Sequence, residues 1–186
     1  SPTPGGGAVA ALAAAISAAQ ASMVIAYTEG KEKYAEHEDL LRETGEDLQR
    51  YRGDALRLAE DDKAAYEELS GWFRRDRQTV EDEHAYQAAV RRATEVPQRL
   101  LDRSVAMLEL LELLCGRTNR MLASDLAIAA ILAECAARSA AWNVRINLPQ
   151  WSDAVERADA TRDLARQLAR AAKSCAAIER ACSDGC

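Results

Sequence analysis

Apolar residues recur at helical spacing along almost the whole chain, and no stretch alternates with the two-residue period of a strand. From Pro4 and the glycines Gly5, Gly6 and Gly7 the sequence runs straight into an alanine-rich stretch ending near Ala26 to Glu29, with Gly30 as a stop signal. Alanine on every face permits close backbone approach, which predicts a central helix. A second helical pattern extends from about Lys31 to Arg74. Unbroken, it would reach roughly 60 Å, so it must bend near Gly45 or Gly53, or project and be covered by a partner chain. Further helices are predicted over about 80–94 and 97–114, separated by a break at Thr94-Glu95-Val96-Pro97, and over about 120–147, ended by Pro149. The last runs from about Ser152, as N-cap, to Cys182. The expectation is an all-α multihelical bundle with long helices, one domain over residues 1–186. Ser1 in place of Met predicts a short missing N-terminal segment.

Three interruptions of the apolar stripes are informative. In the long second helix the stripe reads Leu41, Leu48, Tyr51, Ala55, Leu58, Ala65, Leu69 and Phe73, a coiled-coil-like seam. The position due after Leu58 is Asp62. A carboxylate on an apolar stripe costs free energy unless it is paired, hydrated or protonated. It is either a register-fixing or salt-bridged polar residue or a general acid/base with a pKa raised by desolvation. Asp61 points about 100° away and reads as a solvated charge. Asp125 shares a face with Ile128, Leu132 and Cys135, again an acid on an apolar stripe. Asn143 and Asn147 stand one turn apart near the end of the same helix, where amides either cap carbonyls or face a ligand. Together these breaks predict polar groups converging on one cleft between helices.

Composition narrows the function classes. Nine aromatic residues against 39 alanines suit packed helices rather than a sandwich of strands. A net charge of −6 argues against nucleic acid as a partner. Residues 8–26 form the most apolar run, yet they carry Ser17, Gln20 and Ser22 and follow no basic stretch, so no membrane span is expected. Five cysteines without a C-x-x-C pair, and two histidines, predict a reduced cytosolic chain with no metal site. Cys115 and Cys135 read as small buried hydrophobes. The single Glu-x-x-His at Glu81-Asp82-Glu83-His84 reads as a charged helix start, since a di-iron bundle needs two such motifs. Arg162, Arg166 and Arg170 step by four beside Glu156, Asp159 and Asp163, a solvated ion-paired face.

Six short strings carry a resemblance. Thr3-Pro4-Gly5-Gly6-Gly7-Ala8-Val9-Ala10-Ala11 resembles the opening signature of the cyclodeaminase/cyclohydrolase family, known from formiminotransferase-cyclodeaminases and stand-alone methenyltetrahydrofolate cyclohydrolases. Gly30-Lys31-Glu32-Lys33-Tyr34 is similar to the family's Gly-Lys-Lys-Lys-Tyr, and Asp62-Lys63-Ala64-Ala65-Tyr66 to its Asp-x-x-Ala-Tyr. Ala93-Thr94-Glu95-Val96-Pro97, Asn119 with Ser124-Asp125, and Asn143-Val144-Arg145-Ile146-Asn147-Leu148 follow in the family's order. Glu32 and Gln98 depart from its usual Lys and Leu.

The resemblance implies a one-carbon tetrahydrofolate as substrate, no tightly bound cofactor, and a homodimer. Cyclodeamination has N10 attack the formimino carbon on N5 and expel ammonia; cyclohydrolysis adds water to the same bridging carbon and opens the ring. Either reaction moves a proton beside one carbon, which one carboxyl can serve. The family's catalytic aspartate maps onto Asp62. Lys31, Lys33 and the amides of Gly5, Gly6 and Gly7 are the expected contacts for the anionic glutamate tail. Tyr66, Asn119, Ser124, Asp125, Asn143 and Asn147 are the expected contacts for the rest of the substrate. The dimer is expected on the long helices, with the site near the subunit interface. A diverged enzyme for another amidine or iminium compound and a non-catalytic helical scaffold remain the alternatives.

Overall fold

A computed structural model describes residues 5–184; Thr3 and Pro4 of the opening signature, and Cys186, lie outside the described residues. Five helices account for most of them: α1 (Gly6–Ala26), α2 (Glu38–Ser70), α3 (Val80–Leu114), α4 (Ala123–Asn147) and α5 (Ala154–Asp184). Short 3₁₀ turns precede α2 (Glu32–His37), precede α4 (Arg120–Leu122) and follow it (Leu148–Gln150). Among the described residues there is no strand.

Local chemistry sets the ends. Gly30 closes the turn after α1 at φ +71°, which glycine adopts without a Cβ clash. Thr79 and Asp82 form a reciprocal capping box at the start of α3, where a charged helix start was expected. Asp153, not Ser152, caps α5: its Oδ1 accepts from the backbone N–H groups of Val155 and Glu156 at 2.8 and 3.0 Å.

The long second helix corrects the sequence reading twice. It starts at Glu38 rather than near Lys31, and it runs unbroken through Gly45 and Gly53 for 33 residues. It also needs no partner chain for its seam. α3, 35 residues long, runs back along it antiparallel, shown by Arg92–Glu68 at 2.9 Å, Arg103–Asp54 at 3.4 Å and Arg99–Asp61 at 3.8 Å. Leu41, Leu48, Leu58 and Leu69 are buried between α1 and α3, and Tyr51 is half-buried. At about 1.5–3 kcal/mol per fully buried leucine, this seam outweighs exposed ion pairs worth about 0–1 kcal/mol each. Phe73, expected in the seam, lies beyond the helix end and is exposed.

α3 corrects the expected break at Pro97, which sits inside a continuous helix. Proline lacks the N–H that would bond the carbonyl four residues back, an interior defect of about 3 kcal/mol. Here that carbonyl, on Ala93, accepts from Asn147 Nδ2 of α4 at 2.8 Å. A side chain 54 positions later in sequence thus repairs the ladder. Trp151 Nε1 donates to Thr94 Oγ1 at 3.1 Å and ties the next loop to the same turn. Asn147→Ala should therefore destabilise the fold by about 1–3 kcal/mol in denaturant melts. In a Pro97→Ala background the cost should shrink, because alanine at 97 restores the missing N–H. An equal cost in both backgrounds would exclude this role.

α1 packs antiparallel between α2 and α4, and α5 covers α3 and α4. Its alanines Ala10, Ala11, Ala14, Ala15, Ala18 and Ala21 are buried, and buried Ser17 donates to the Ala129 carbonyl at 2.6 Å. By length and composition alone α1 passes for a membrane span, but half of it is buried inside the bundle. It is not wholly central: Val9, Leu12 and Ile16 face outward. The adjoining face of α4 does the same through Ile128, Ile131, Trp142 and Ile146. Asp125 consequently lies beside an outward stripe, not a buried one. Cys135 is exposed and Cys115 half-buried, whereas Cys175 and Cys182 are the buried cysteines.

Candidate functional site

A cavity of about 710 Å³ opens where the N-terminus of α1 meets the middle and end of α2, the end of α4 and the turn after it. Its volume falls in the range of small-molecule sites, roughly 300–1,000 Å³. Asp62 lines it, together with Gly5, Gly6, Gly7, Tyr66, Asn143 and Asn147.

Asp62 is held by backbone proximity rather than by partners. The Gly7 Cα stands against its carboxylate so closely that a Cβ at residue 7 would overlap all three carboxyl atoms. Gly7 is helical with an ordinary negative φ, so it is the space that demands glycine, not the dihedral. Among the described residues Asp62 has no ion-pair partner, and burial pushes its carboxyl above the usual carboxylate range. Asp61 points away to solvent and pairs loosely with Arg99 at 3.8 Å. One face of α2 therefore carries a desolvated acid and the next face an exposed, ion-paired one.

The remaining wall is mixed. Asn143 donates through Nδ2 to the Ser139 carbonyl at 3.3 Å, and its Oδ1 lies 3.3 Å from where a Cβ on Gly6 would stand. Asn147 lines the cavity while its amide serves the Ala93 carbonyl. Tyr66 is 55% exposed although it lines a cavity, which leaves its ring face open to a ligand.

The other expected residues do not converge here. Lys31 and Lys33 follow the far end of α1, about 30 Å from Gly6 by helix length. Asn119 sits at that far end too: its N–H donates to Thr28 Oγ1 at 2.9 Å, and its Oδ1 accepts from the Met121 N–H at 3.2 Å. Asp125 accepts from Gln20 Nε2 at 2.7 Å, and Ser124 is exposed. A smaller pocket of about 260 Å³ there is lined by Lys33, Tyr34, Asn119 and Arg120. Within one chain the candidate chemistry thus splits into two groups, at opposite ends of α1.

The formiminotransferase-cyclodeaminase family matches residues 1–176. The chain belongs to that family. It is 32% identical to the methenyltetrahydrofolate cyclohydrolase of Methylorubrum extorquens, over 91% of this chain and 84% of that protein. It is 27% identical to the formimidoyltransferase-cyclodeaminase of Gallus gallus over 96% of this chain, but spans only 34% of that longer protein. In structure it resembles the formiminotetrahydrofolate cyclodeaminase of Thermotoga maritima with a TM-score of 0.91 and 28% identity, covering 99% of this chain and 90% of that one.

In this family member sequence reasoning missed Glu60, Lys63, Phe73, Ile146 and Gln150 as cavity-lining residues. Lys63 and Glu60 were legible in principle, since both lie within a turn of Asp62 on α2. Gln150 was not: Tyr86 Oη donates to its Oε1 at 2.8 Å across 64 positions. Phe73 was read as seam, and only the end of α2 at Ser70 turns it towards the cavity mouth.

Proposed function

We propose that this protein acts on one-carbon tetrahydrofolates at the carbon joining N5 and N10, hydrolysing the methenyl bridge to 10-formyltetrahydrofolate and closing 5-formiminotetrahydrofolate with loss of ammonia. The observation that carries the reading is Asp62, a desolvated, unpaired carboxyl pressed against the α1 N-terminus in a ligand-sized cavity. In hydrolysis, Asp62 as carboxylate takes a proton from the water that adds to the bridging carbon and gives it to N5 as the C–N5 bond breaks, while the adduct's hydroxyl proton passes to solvent as the formyl C=O forms. In cyclodeamination, Asp62 as acid protonates the amino group of the tetrahedral adduct, which leaves as ammonia. A carboxyl pushed above the ordinary carboxylate range keeps its acid form to higher pH and is a stronger base in its ionised form, which suits a group that both takes and gives the proton. Gly7 stands against the acid, and Gly6 with Asn143 beside it orient the pterin; Tyr66 offers a ring face to the substrate's aromatic segment. The methenyl carbon is already electrophilic, so the reaction needs no tightly bound cofactor.

Absorbance assays of the purified protein with methenyltetrahydrofolate, and separately with formiminotetrahydrofolate, test this directly. Turnover of either above the uncatalysed rate supports the reading. Failure with both, in folded protein, favours a diverged substrate or a scaffold.

The working unit in this reading is a homodimer, formed on α1 and α4 rather than on α2. Two adjacent helices about 30 Å long and about 10 Å apart present roughly 600 Å² on each protomer. That gives about 1,200 Å² in total, the lower bound of stable interfaces, on a face lined by Val9, Leu12, Ile16, Ile128, Ile131 and Ile146. An antiparallel two-fold across this face brings the Lys33, Asn119, Ser124 and Asp125 end of one protomer towards the Asp62 cavity of its partner. Ile16→Glu should convert the protein to a species near 20.3 kDa by light scattering and lower activity with it. A wild type of monomer mass at micromolar concentration would exclude the dimer.

A further inference from the structure

We infer that Lys63 binds the carboxylates of the substrate's glutamate tail and thereby sets a preference for glutamate-bearing over des-glutamate folates. The inference rests on the folate reading above and deepens it. The protein carries a net charge of −6, and the cavity itself contributes Glu60 and Asp62. A dianionic tail entering that field is repelled unless a cation stands in the wall. Among the described residues that line the cavity, Lys63 is the one cation.

Three features fit it for the task. No residue of the chain lies within ion-pairing distance of its ammonium among the described salt bridges, so nothing must be displaced when a carboxylate arrives. It is exposed at the cavity wall, so the group binds without first being stripped of water inside an empty site. It follows Asp62 directly on α2 but points about 100° away around the helix. The side chain therefore leaves α2 on a different bearing from the Asp62 carboxyl, which burial pushes above the usual carboxylate range. Binding of the tail and transfer of the proton are thus assigned to neighbouring residues on one helix. The expected tail contacts, Lys31 and Lys33, follow the far end of α1, about 30 Å away by helix length, and do not line this cavity.

The test compares wild type, Lys63→Met, Lys63→Arg and the Lys31→Met/Lys33→Met double variant on methenyltetrahydrofolate and on methenyltetrahydropteroate, which lacks the glutamate. Lys63→Met should raise KM for the glutamate-bearing substrate about tenfold, leave KM for the pteroate unchanged, and change kcat by less than about twofold. Lys63→Arg should retain most of the preference, since charge is conserved. An equal change in KM for both substrates overturns the inference while leaving the folate reading intact. So does a preference abolished by the Lys31/Lys33 variant and kept by Lys63→Met, which would put the tail across the subunit interface. Equilibrium binding of tetrahydrofolate and tetrahydropteroate reads the same ratio without turnover. A wild type that neither reacts with nor binds folate overturns both statements.

Discussion

Asp62→Asn is expected to lose most turnover and to gain thermal stability. The amide nearly conserves volume and fits against Gly7, but it neither takes nor gives the proton; general acid/base groups contribute about 10²- to 10⁴-fold. The stability change follows from the direction of the pKa shift. Burial raises the folded-state pKa of Asp62 above that of the unfolded chain, so the folded protein binds the proton more tightly. Its stabilising contribution is therefore present below the unfolded pKa and lost as pH rises through the folded one. At neutral pH the wild type holds an ionised carboxylate without a partner, and the amide relieves that cost. The Tm of Asp62→Asn should exceed that of the wild type at pH 7, and the difference should fade as the pH is lowered into the acid range. For hydrolysis, the wild-type rate should fall on the acid side with an apparent pKa above ordinary carboxylates. Near-wild-type turnover in the variant would assign the proton transfer to another group. A Tm below wild type at pH 7 would mean that the carboxylate has a stabilising contact.

How far the sequence spoke depended on whether a feature was local. The stripe of α2 was legible because its leucines follow helical spacing, and Asp62 was legible as the residue that breaks it. Periodicity shows which residues share a face; it does not show which way that face points. Asp125, Ile128 and Cys135 do share one on α4, but it looks outward. Pro97 was misread because its compensation is remote: the freed Ala93 carbonyl is satisfied by Asn147 from another helix. The same bond explains why an Asn at the end of α4 accompanies a proline inside α3, a link that neither string reveals alone. Within one chain the expected cleft divides in two for a geometric reason. Motif order carries no distance, and α1 separates its own two ends by about 30 Å. Asn119 illustrates the alternative open to a motif residue, since its hydrogen bonds lock the loop before α4 to Thr28 and Met121.

The glycine turn supplies the second large effect, and its three members should respond in a graded way. On helix propensity alone, Gly7→Ala ought to stabilise α1 by about 1 kcal/mol, because the backbone there is ordinary helix. The added methyl, however, falls on the Asp62 carboxylate. Either the carboxylate swings out of its place or α1 and α2 move apart, and the tight antiparallel packing of the two helices favours the first. A displacement of about 1 Å at a reacting group costs on the order of 10² in rate, so kcat should fall by about that factor or more. KM should change less, because Lys63 and Tyr66 line the cavity from positions the methyl does not reach. Gly6→Ala meets only the end of the Asn143 side chain at 3.3 Å, which yields by a small rotation, so its effect on kcat should stay within about tenfold. At Gly5 nothing lies within 4 Å of an added Cβ, and Gly5→Ala should leave kcat near wild type. Kinetics and circular-dichroism melts of the three variants separate the causes. Loss of kcat at Gly7 alone, with a folded far-ultraviolet spectrum, assigns the close approach to positioning of Asp62. Equal and small effects at all three positions would show that the acid tolerates displacement, and that the fit between Gly7 and Asp62 serves packing and not the reaction.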